Sequence, residues 1–173
     1  MMSKAMFDAS LPLDRKRIAA CIPHSGAMCL LDAVLSWDSQ SIRCLATSHR
    51  AAHNPLRAQG RLAVVCGIEY AAQAMAMHGA LCAELSVELK ARPRAGFLTS
   101  VRDIRPYVAR LDNVPGALVI EAVRIGGMGG IGGDDNDVLY RFALSSDALN
   151  SEQCLLTGRA AVILDAARMM NHR

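Results

Sequence analysis

One acidic side chain, Glu69, stands in surroundings that suit proton-transfer chemistry. Between Gly67 and Ala83 it is the only Asp, Glu, Lys or Arg, and its neighbours are mostly small or apolar. A carboxyl group in such a pocket is typical of a general acid. Gln73 follows four residues later, one helical turn away on the same face, where its amide can orient the carboxyl. The alternative is an acid that only stabilises the start of a helix.

The residue just before this acid also favours a reactive site. Gly67 has no side chain, so a substrate carbonyl could approach the N–H groups at the start of the helix and accept hydrogen bonds there.

Histidines supply the candidate base. His49 and His53 lie in a loop ahead of Glu69. Their four-residue spacing would suit a pair of zinc ligands on a helix. Asn54 and Pro55 follow His53 directly, however, and this pair predicts a turn rather than a helix. We therefore expect no metal site, and we interpret a loop histidine as a general base, with a solvated histidine as the alternative. His24 is a second catalytic candidate or a structural histidine.

The elements that must position these residues follow from the hydrophobic pattern. Residues 68 to about 89 are rich in Ala, Met, Leu and Glu, which predicts one long helix, and residues 14–21 predict a short one. Alternating or apolar runs predict strands, which we expect to pair antiparallel when consecutive. The predicted strands cover residues 28–37, 40–48, 96–107, 117–125, 138–145 and 154–164.

The long helix carries small residues nearly all round, which predicts burial on several sides with a curved sheet wrapped closely around it. His78, in the middle of this helix, is expected to pack rather than to react. The order of two strands, one long helix and four strands predicts an α+β fold. We expect a single domain over residues 1–173, with its core at about 14–165, and we interpret the glycine-rich stretch 126–133 as a hairpin loop.

Composition excludes several classes of protein. The chain has 173 residues, 52% of them hydrophobic and 4% aromatic, and its net charge of +3 is too mild to indicate nucleic-acid binding. No run of about 18 apolar residues predicts a membrane span. Six widely spaced cysteines without a CxxC pair are typical of buried reduced thiols, so we expect a cytoplasmic protein without disulfides.

Taken together, these features resemble the beta-hydroxyacyl-acyl-carrier-protein dehydratases of the FabA/FabZ type, which have the hotdog fold. The resemblance covers roughly residues 14–165. It depends on four segments: Ile22-Pro23-His24, residues 28–32 (MCLLD), residues 49–60 (HRAAHNPLRAQG) and residues 68–73 (IEYAAQ). Residues 54–57 and 67–81 are most similar to the dehydratases of aryl-polyene-type pigment clusters.

The resemblance implies an antiparallel sheet around a central helix and an acid/base dehydration. It implies His49 as the base on the alpha proton, in preference to His53 or His24, and Glu69 as the acid for the beta-hydroxyl. Gln73 and Gly67 then support the acid and the oxygen site. The loop residues implied to bind substrate are Asn54, Pro55 and Gly60.

The implied substrate is an acyl chain on the phosphopantetheine of an acyl carrier protein, with no other cofactor. Carrier proteins are acidic, and 16 of the 19 basic residues are arginine, which binds phosphate and carboxylate well. Candidate contacts are Arg57, Arg61, Arg102 and Arg105. A homodimer, or a heterodimer with a related dehydratase, is expected. The alternatives are a hotdog thioesterase and a non-catalytic acyl-binding partner subunit.

Overall fold

The computed structural model describes residues 12–85, 96–127, 137–150 and 153–164. Two helices and seven strands cover most of these residues, and short 3-10 turns lie at 26–28, 48–50 and 64–66. The predicted order of two strands, one long helix and four strands is confirmed, with an additional two-residue strand at the start. The elements are β1 (Leu13–Asp14), α1 (Arg15–Cys21), β2 (Ala33–Trp37), β3 (Ser41–Ala46), α2 (Gly67–Leu85), β4 (Gly96–Pro106), β5 (Leu118–Gly127), β6 (Asp137–Ser146) and β7 (Leu156–Leu164).

The strands form one antiparallel sheet in the order β1-β2-β3-β5-β6-β7-β4. The expectation that consecutive strands pair is wrong for β4, which pairs with β7, while β5 pairs with β3. The connection after β4 crosses under the start of α2, where Leu111 N donates to Leu62 O and Val64 N donates to Ala109 O. These bonds tie the connection to the segment just before α2, and β4 forms an edge of the sheet.

Helix α2 packs against one face of the sheet and is buried on most of its circumference. Tyr70, Ala71, Ala74, Met77 and Leu81 are each no more than 3% exposed. The alanines let β3, β5 and β6 approach the helix axis closely. The predicted thin, multiply buried helix is confirmed over residues 67–85. Residues 86–89 of the prediction, and residues 128–133 of the glycine-rich stretch, lie outside the described part of the chain.

His78 has the packing role expected for it. It is fully buried, with Nδ1 2.8 Å from the Tyr140 hydroxyl and Nε2 2.8 Å from the Asp38 carbonyl oxygen. A carbonyl oxygen only accepts hydrogen bonds, so Nε2 carries the proton and the Tyr140 hydroxyl donates to Nδ1. Burial lowers the pKa of His78, which keeps this bonding pattern neutral.

Two further expectations concern cysteines and membranes. All six cysteines have free thiols, and burial raises the pKa of Cys44 to about 12. In the described ranges, no helix is long and apolar enough to cross a membrane.

Candidate active site

Side chains from two separated sequence motifs meet at the start of α2. Glu69 lies in the first turn of the helix. Gln73 Nε2 donates to Glu69 Oε1 over 2.9 Å, and His24 Nε2 lies 3.1 Å from the same oxygen. The His24 and Glu69 side chains are 26% and 32% exposed, so a ligand can reach them. The structure therefore places a histidine and a carboxyl group in direct contact, with an amide that fixes the carboxyl.

Gln73 is fully buried and uses both ends of its amide. Its oxygen accepts from Leu30 N over 2.9 Å, and its nitrogen also donates to Met28 O over 2.8 Å. Because one partner only donates and the other only accepts, these bonds fix the orientation of the amide. They also explain why β2 begins at Ala33 rather than at Met28. Residues 28–30 bond to the helix, and this segment brings His24 to Glu69.

A second buried network ties the histidine loop to the same helix. The Ser48 hydroxyl donates to Leu30 O over 2.8 Å and lies 2.9 Å from the hydroxyl of Tyr70, which is fully buried. Since the Ser48 proton points to Leu30, Tyr70 donates to Ser48. Asn54 Nδ2 then donates to Tyr70 Oη over 3.0 Å. Sequence reasoning missed Ser48 and Tyr70, although each is adjacent to a predicted catalytic residue.

The residues expected to bind substrate have different surroundings. Asn54 is 5% exposed, and its amide also donates to Ser48 O and accepts from Leu56 N. Every polar group of this side chain is therefore used to hold the loop. Pro55 and Gly60 are exposed, and Gly60 has a φ of +74°, which glycine adopts without strain.

His49 is placed differently from the expectation for a base. Its side chain is fully buried, and Nε2 donates to Val114 O over 3.2 Å. Burial lowers the pKa of His49, and the cations of Arg50 and Arg57 act in the same direction. Within this chain it is His24 that contacts Glu69. A catalytic role of His49 stays a prediction, as does one for the exposed His53.

The side chain of Arg57 holds the backbone of the histidine loop in place. The Arg57 guanidinium donates to three backbone oxygens, those of Gly60 (2.9 Å), Arg50 (3.1 Å) and His49 (3.4 Å). Its side chain is only 16% exposed. Arg57 therefore holds the loop together, and a contact of Arg57 with a carrier protein stays a prediction.

Asp112 anchors the far end of the same loop. It accepts from Leu62 N over 2.9 Å and pairs with the Arg110 guanidinium. The Arg57 guanidinium lies 3.8 Å away. The hydrogen bond from Arg110 holds the pKa of Asp112 well below its usual range, so the anchor is a carboxylate at neutral pH.

Gly67 has a packing role in the structure. A Cβ atom at this position would lie 2.7 Å from Leu144 Cδ2 and 2.8 Å from Leu156 Cδ2. Its N–H donates to the carbonyl oxygens of Val64 and Val65. The glycine thus lets the helix start pack against the sheet, and its Cα faces leucines rather than an open site.

Asp32 completes the framework around the site. Its carboxylate lies 3.1 Å from Arg15 and accepts from Thr47 N and Thr47 Oγ1 over 2.6 and 2.7 Å. Arg15 is therefore a partner of Asp32, and the same carboxylate holds the end of β3 just before Ser48. Among the described residues, no group of three or more His, Cys, Asp or Glu side chains could hold a metal ion.

Comparison with solved structures identifies the architecture as the hotdog fold. The dehydratase heterocomplex ApeI:P from Xenorhabdus doucetiae matches with a TM-score of 0.70 and 22% identity, over 92% of this chain and 98% of that chain. Zebra fish thioesterase superfamily member 2 matches with a TM-score of 0.56 and 14% identity, over 87% and 94%. A mutant thioesterase from Pseudomonas aeruginosa matches with a TM-score of 0.54 and 16% identity, over 88% and 95%. At these identities the likeness establishes the fold alone.

Sequence comparison establishes the family. No curated protein sequence matches the chain significantly. The sequence model of the ApeP-like family, described as ApeP dehydratase, matches residues 16–126, which include His24, His49, Glu69 and Gln73. This match covers more than half of the 173 residues. The chain therefore belongs to the ApeP-like dehydratase family.

Proposed function

We propose that this chain removes water from beta-hydroxyacyl thioesters on the phosphopantetheine of an acyl carrier protein, giving trans-2-enoyl thioesters. The observation that carries the proposal is the contact of Glu69 with His24 and Gln73, in a chain of a dehydratase family. Dehydration needs one group that accepts a proton and another that donates one, and needs no further cofactor. The six free thiols fit a reducing compartment such as the cytoplasm.

In the proposed reaction, His24 Nε2 takes the proton alpha to the thioester carbonyl. The electron pair of that C–H bond forms the new carbon–carbon double bond, and the bond from the beta carbon to its hydroxyl oxygen breaks. Glu69 donates its proton to this hydroxyl, which leaves as water. His24 is then a cation and Glu69 an anion, and return of the proton across their 3.1 Å contact restores the starting pair.

We assign the base to His24, although the sequence favours His49. A base must come within hydrogen-bond reach of the substrate proton, and His24 is partly exposed and already next to the acid. His49 is fully buried; its Nε2–H donates to Val114 O, and Nδ1, the nitrogen left to accept a proton, is buried as well. In this proposal His49 supports the loop, together with Arg57 and Asn54.

We also propose that the chain works as a dimer, with a second copy or with a related dehydratase. Two observations support a hotdog partner: the similar Xenorhabdus doucetiae structure is a dehydratase heterocomplex, and β4 forms one edge of the sheet. An edge strand presents unpaired backbone groups that a second strand can use. Native mass spectrometry of the chain, alone and with a related dehydratase, measures the mass of the assembly. A monomer in both samples would contradict the proposal.

The reaction is tested by incubating the purified protein with a beta-hydroxyacyl carrier-protein thioester and reading the mass of the acyl group. Loss of the mass of one water, or its gain when the enoyl thioester is supplied, supports dehydration. Release of free acid would instead indicate a thioesterase. Binding without any mass change, in the presence of the dimer partner as well, would indicate a non-catalytic subunit.

A further inference from the structure

The outer face of the sheet carries three arginines in one row. Arg102 on β4 lies directly opposite Arg159 on β7, and Arg159 lies directly opposite Arg141 on β6. Residues directly opposite on antiparallel strands project from the same face, with Cβ atoms about 5 Å apart. All three are exposed, whereas their chain neighbours Ala160 and Phe142 are buried in the core on the other face of the sheet. The row therefore faces away from the helix.

This row is electrostatically unfavourable for the folded chain by itself. Like charges directly opposite each other on a sheet are destabilising. Within the described ranges, the carboxylate that pairs with the row is Asp103, which binds Arg159. Asp103 has a φ of +53° at an irregular point of the β4 ladder, in the left-handed region that aspartate tolerates better than most residues.

The same sheet balances its charges elsewhere. Arg43 on β3 lies opposite Glu121 on β5, and their side chains form an ion pair with an N–O distance of 3.2 Å. Among the described residues, Arg102 and Arg141 have no such cross-strand carboxylate. An exposed row of like charges that does not stabilise the fold is typical of a surface kept for binding.

A groove of about 340 Å³ opens beside the row. It is lined by the side chains of Arg102 and Arg159, by hydroxyl-bearing residues and by apolar residues. The other lining residues include Thr99, Ser100, Leu139 and Ala161. Exposed guanidinium groups bind carboxylates in bidentate geometry. A partner that offers several carboxylates, and one side chain for the groove, fits this surface.

We propose that the outer-face row of Arg102, Arg159 and Arg141, with its groove, is the docking surface for the acidic carrier protein. This inference rests on the proposed function, in which the thioester substrate is attached to an acyl carrier protein. Along the sheet, β4 and β7 continue from the row to the Pro106–Leu156 pair, three to four residues or about 10–13 Å away. Leu156 packs against Gly67, two residues before Glu69.

The test compares Arg102→Gln/Arg141→Gln with the matched control Arg43→Gln on the same face of the sheet. Isothermal titration with a purified holo acyl carrier protein should show about tenfold weaker binding for the double variant, from the loss of two exposed ion pairs. Its dependence on salt should also be shallower. The control should bind like the unmodified protein. Because the double variant relieves like-charge contacts, its melting temperature should be unchanged or higher.

Activity separates docking from chemistry. With a small beta-hydroxyacyl N-acetylcysteamine thioester, which has no carrier protein, the double variant should keep the activity of the unmodified protein. Carrier binding unaltered by the double variant, or an equal loss of activity on both substrates, would overturn the docking proposal. Arginine-dependent carrier binding without any dehydration would support the docking surface and overturn the proposed reaction. Dehydration without carrier binding would overturn the docking surface alone.

Discussion

Replacing Gln73 by leucine removes the amide that links the acid to the histidine segment while keeping a side chain of similar size. The change leaves Leu30 N and Met28 O without their partners. Leu30 is fully buried and Met28 is partly buried. A buried polar group without a partner costs about 1–3 kcal/mol, so we expect the free energy of unfolding to fall by about 3 kcal/mol. For a chain of this length that lowers the melting temperature by about 6–12 °C.

The same substitution should reduce activity by more than the loss of folded protein explains. Glu69 loses the hydrogen bond that orients its Oε1, and His24 loses the anchor of its segment. Misplacement of catalytic groups by about 1 Å reduces rates by about 100-fold. We expect a fall of this size in kcat/KM at a temperature at which the variant is fully folded.

Thermal melting followed by circular dichroism, together with the carrier-protein mass assay, measures both effects. Gln40→Leu is the matched control, because Gln40 is exposed and its side chain is outside the network. A surface change of this kind should alter stability by less than about 0.5 kcal/mol. If Gln73→Leu melts and reacts like Gln40→Leu, the hydrogen bonds of Gln73 do not hold the site, and the assignment of its role is wrong.

Three further outcomes follow from buried contacts. Tyr70→Phe removes a hydroxyl that is hydrogen-bonded to Ser48 and Asn54. Denaturant unfolding should show that the free energy of unfolding falls by about 1–2 kcal/mol. An unchanged unfolding midpoint would contradict a stabilising role of this hydrogen-bond network. Gly67→Ala should cost about 1–3 kcal/mol in the same assay, since the new methyl group meets two leucines, and a stabilised variant would refute close packing there. Burial lowers the pKa of His49 and His78, so below the ordinary histidine pKa of about 6.5 the unfolded chain binds protons that the folded chain does not. The contribution of these two histidines to the free energy of unfolding should therefore be fully present above that pH. It should fall as the pH drops towards 5, by up to about 1.4 kcal/mol per pH unit for each histidine. In His78→Gln the free energy of unfolding should fall less steeply with decreasing pH than in the unmodified protein. Equal slopes in the two proteins would show that His78 does not contribute to the pH dependence.

Local patterns were sufficient to predict the elements of the fold. Helix α2 follows from its composition of good helix formers, and β6 from the strict alternation of residues 138–145. The i, i+4 spacing of Glu69 and Gln73 places both side chains on one helix face, where the structure shows their hydrogen bond. These features depend on contacts within a few residues, which a sequence displays directly.

Contacts between distant residues were not accessible in the same way. The His24–Glu69 contact spans 45 residues and depends on Gln73 holding residues 28–30 to the helix. The displacement of β4 to the edge, and the register that aligns Arg102 with Arg159, depend on irregular pairing between β4 and β7. Such pairings are decided by packing of the whole sheet, so no local spacing indicates them.

The central claim is that Glu69 donates the proton that lets the beta-hydroxyl leave as water. The most direct measurement is the mass of the acyl group on a carrier protein after incubation with the unmodified protein and with Glu69→Gln. This variant keeps the size and one hydrogen-bond acceptor of the side chain but has no acidic proton. We predict dehydration by the unmodified protein and a loss of about 100-fold or more in the variant, with little change in melting temperature. Equal rates of water loss by the two proteins would contradict the account.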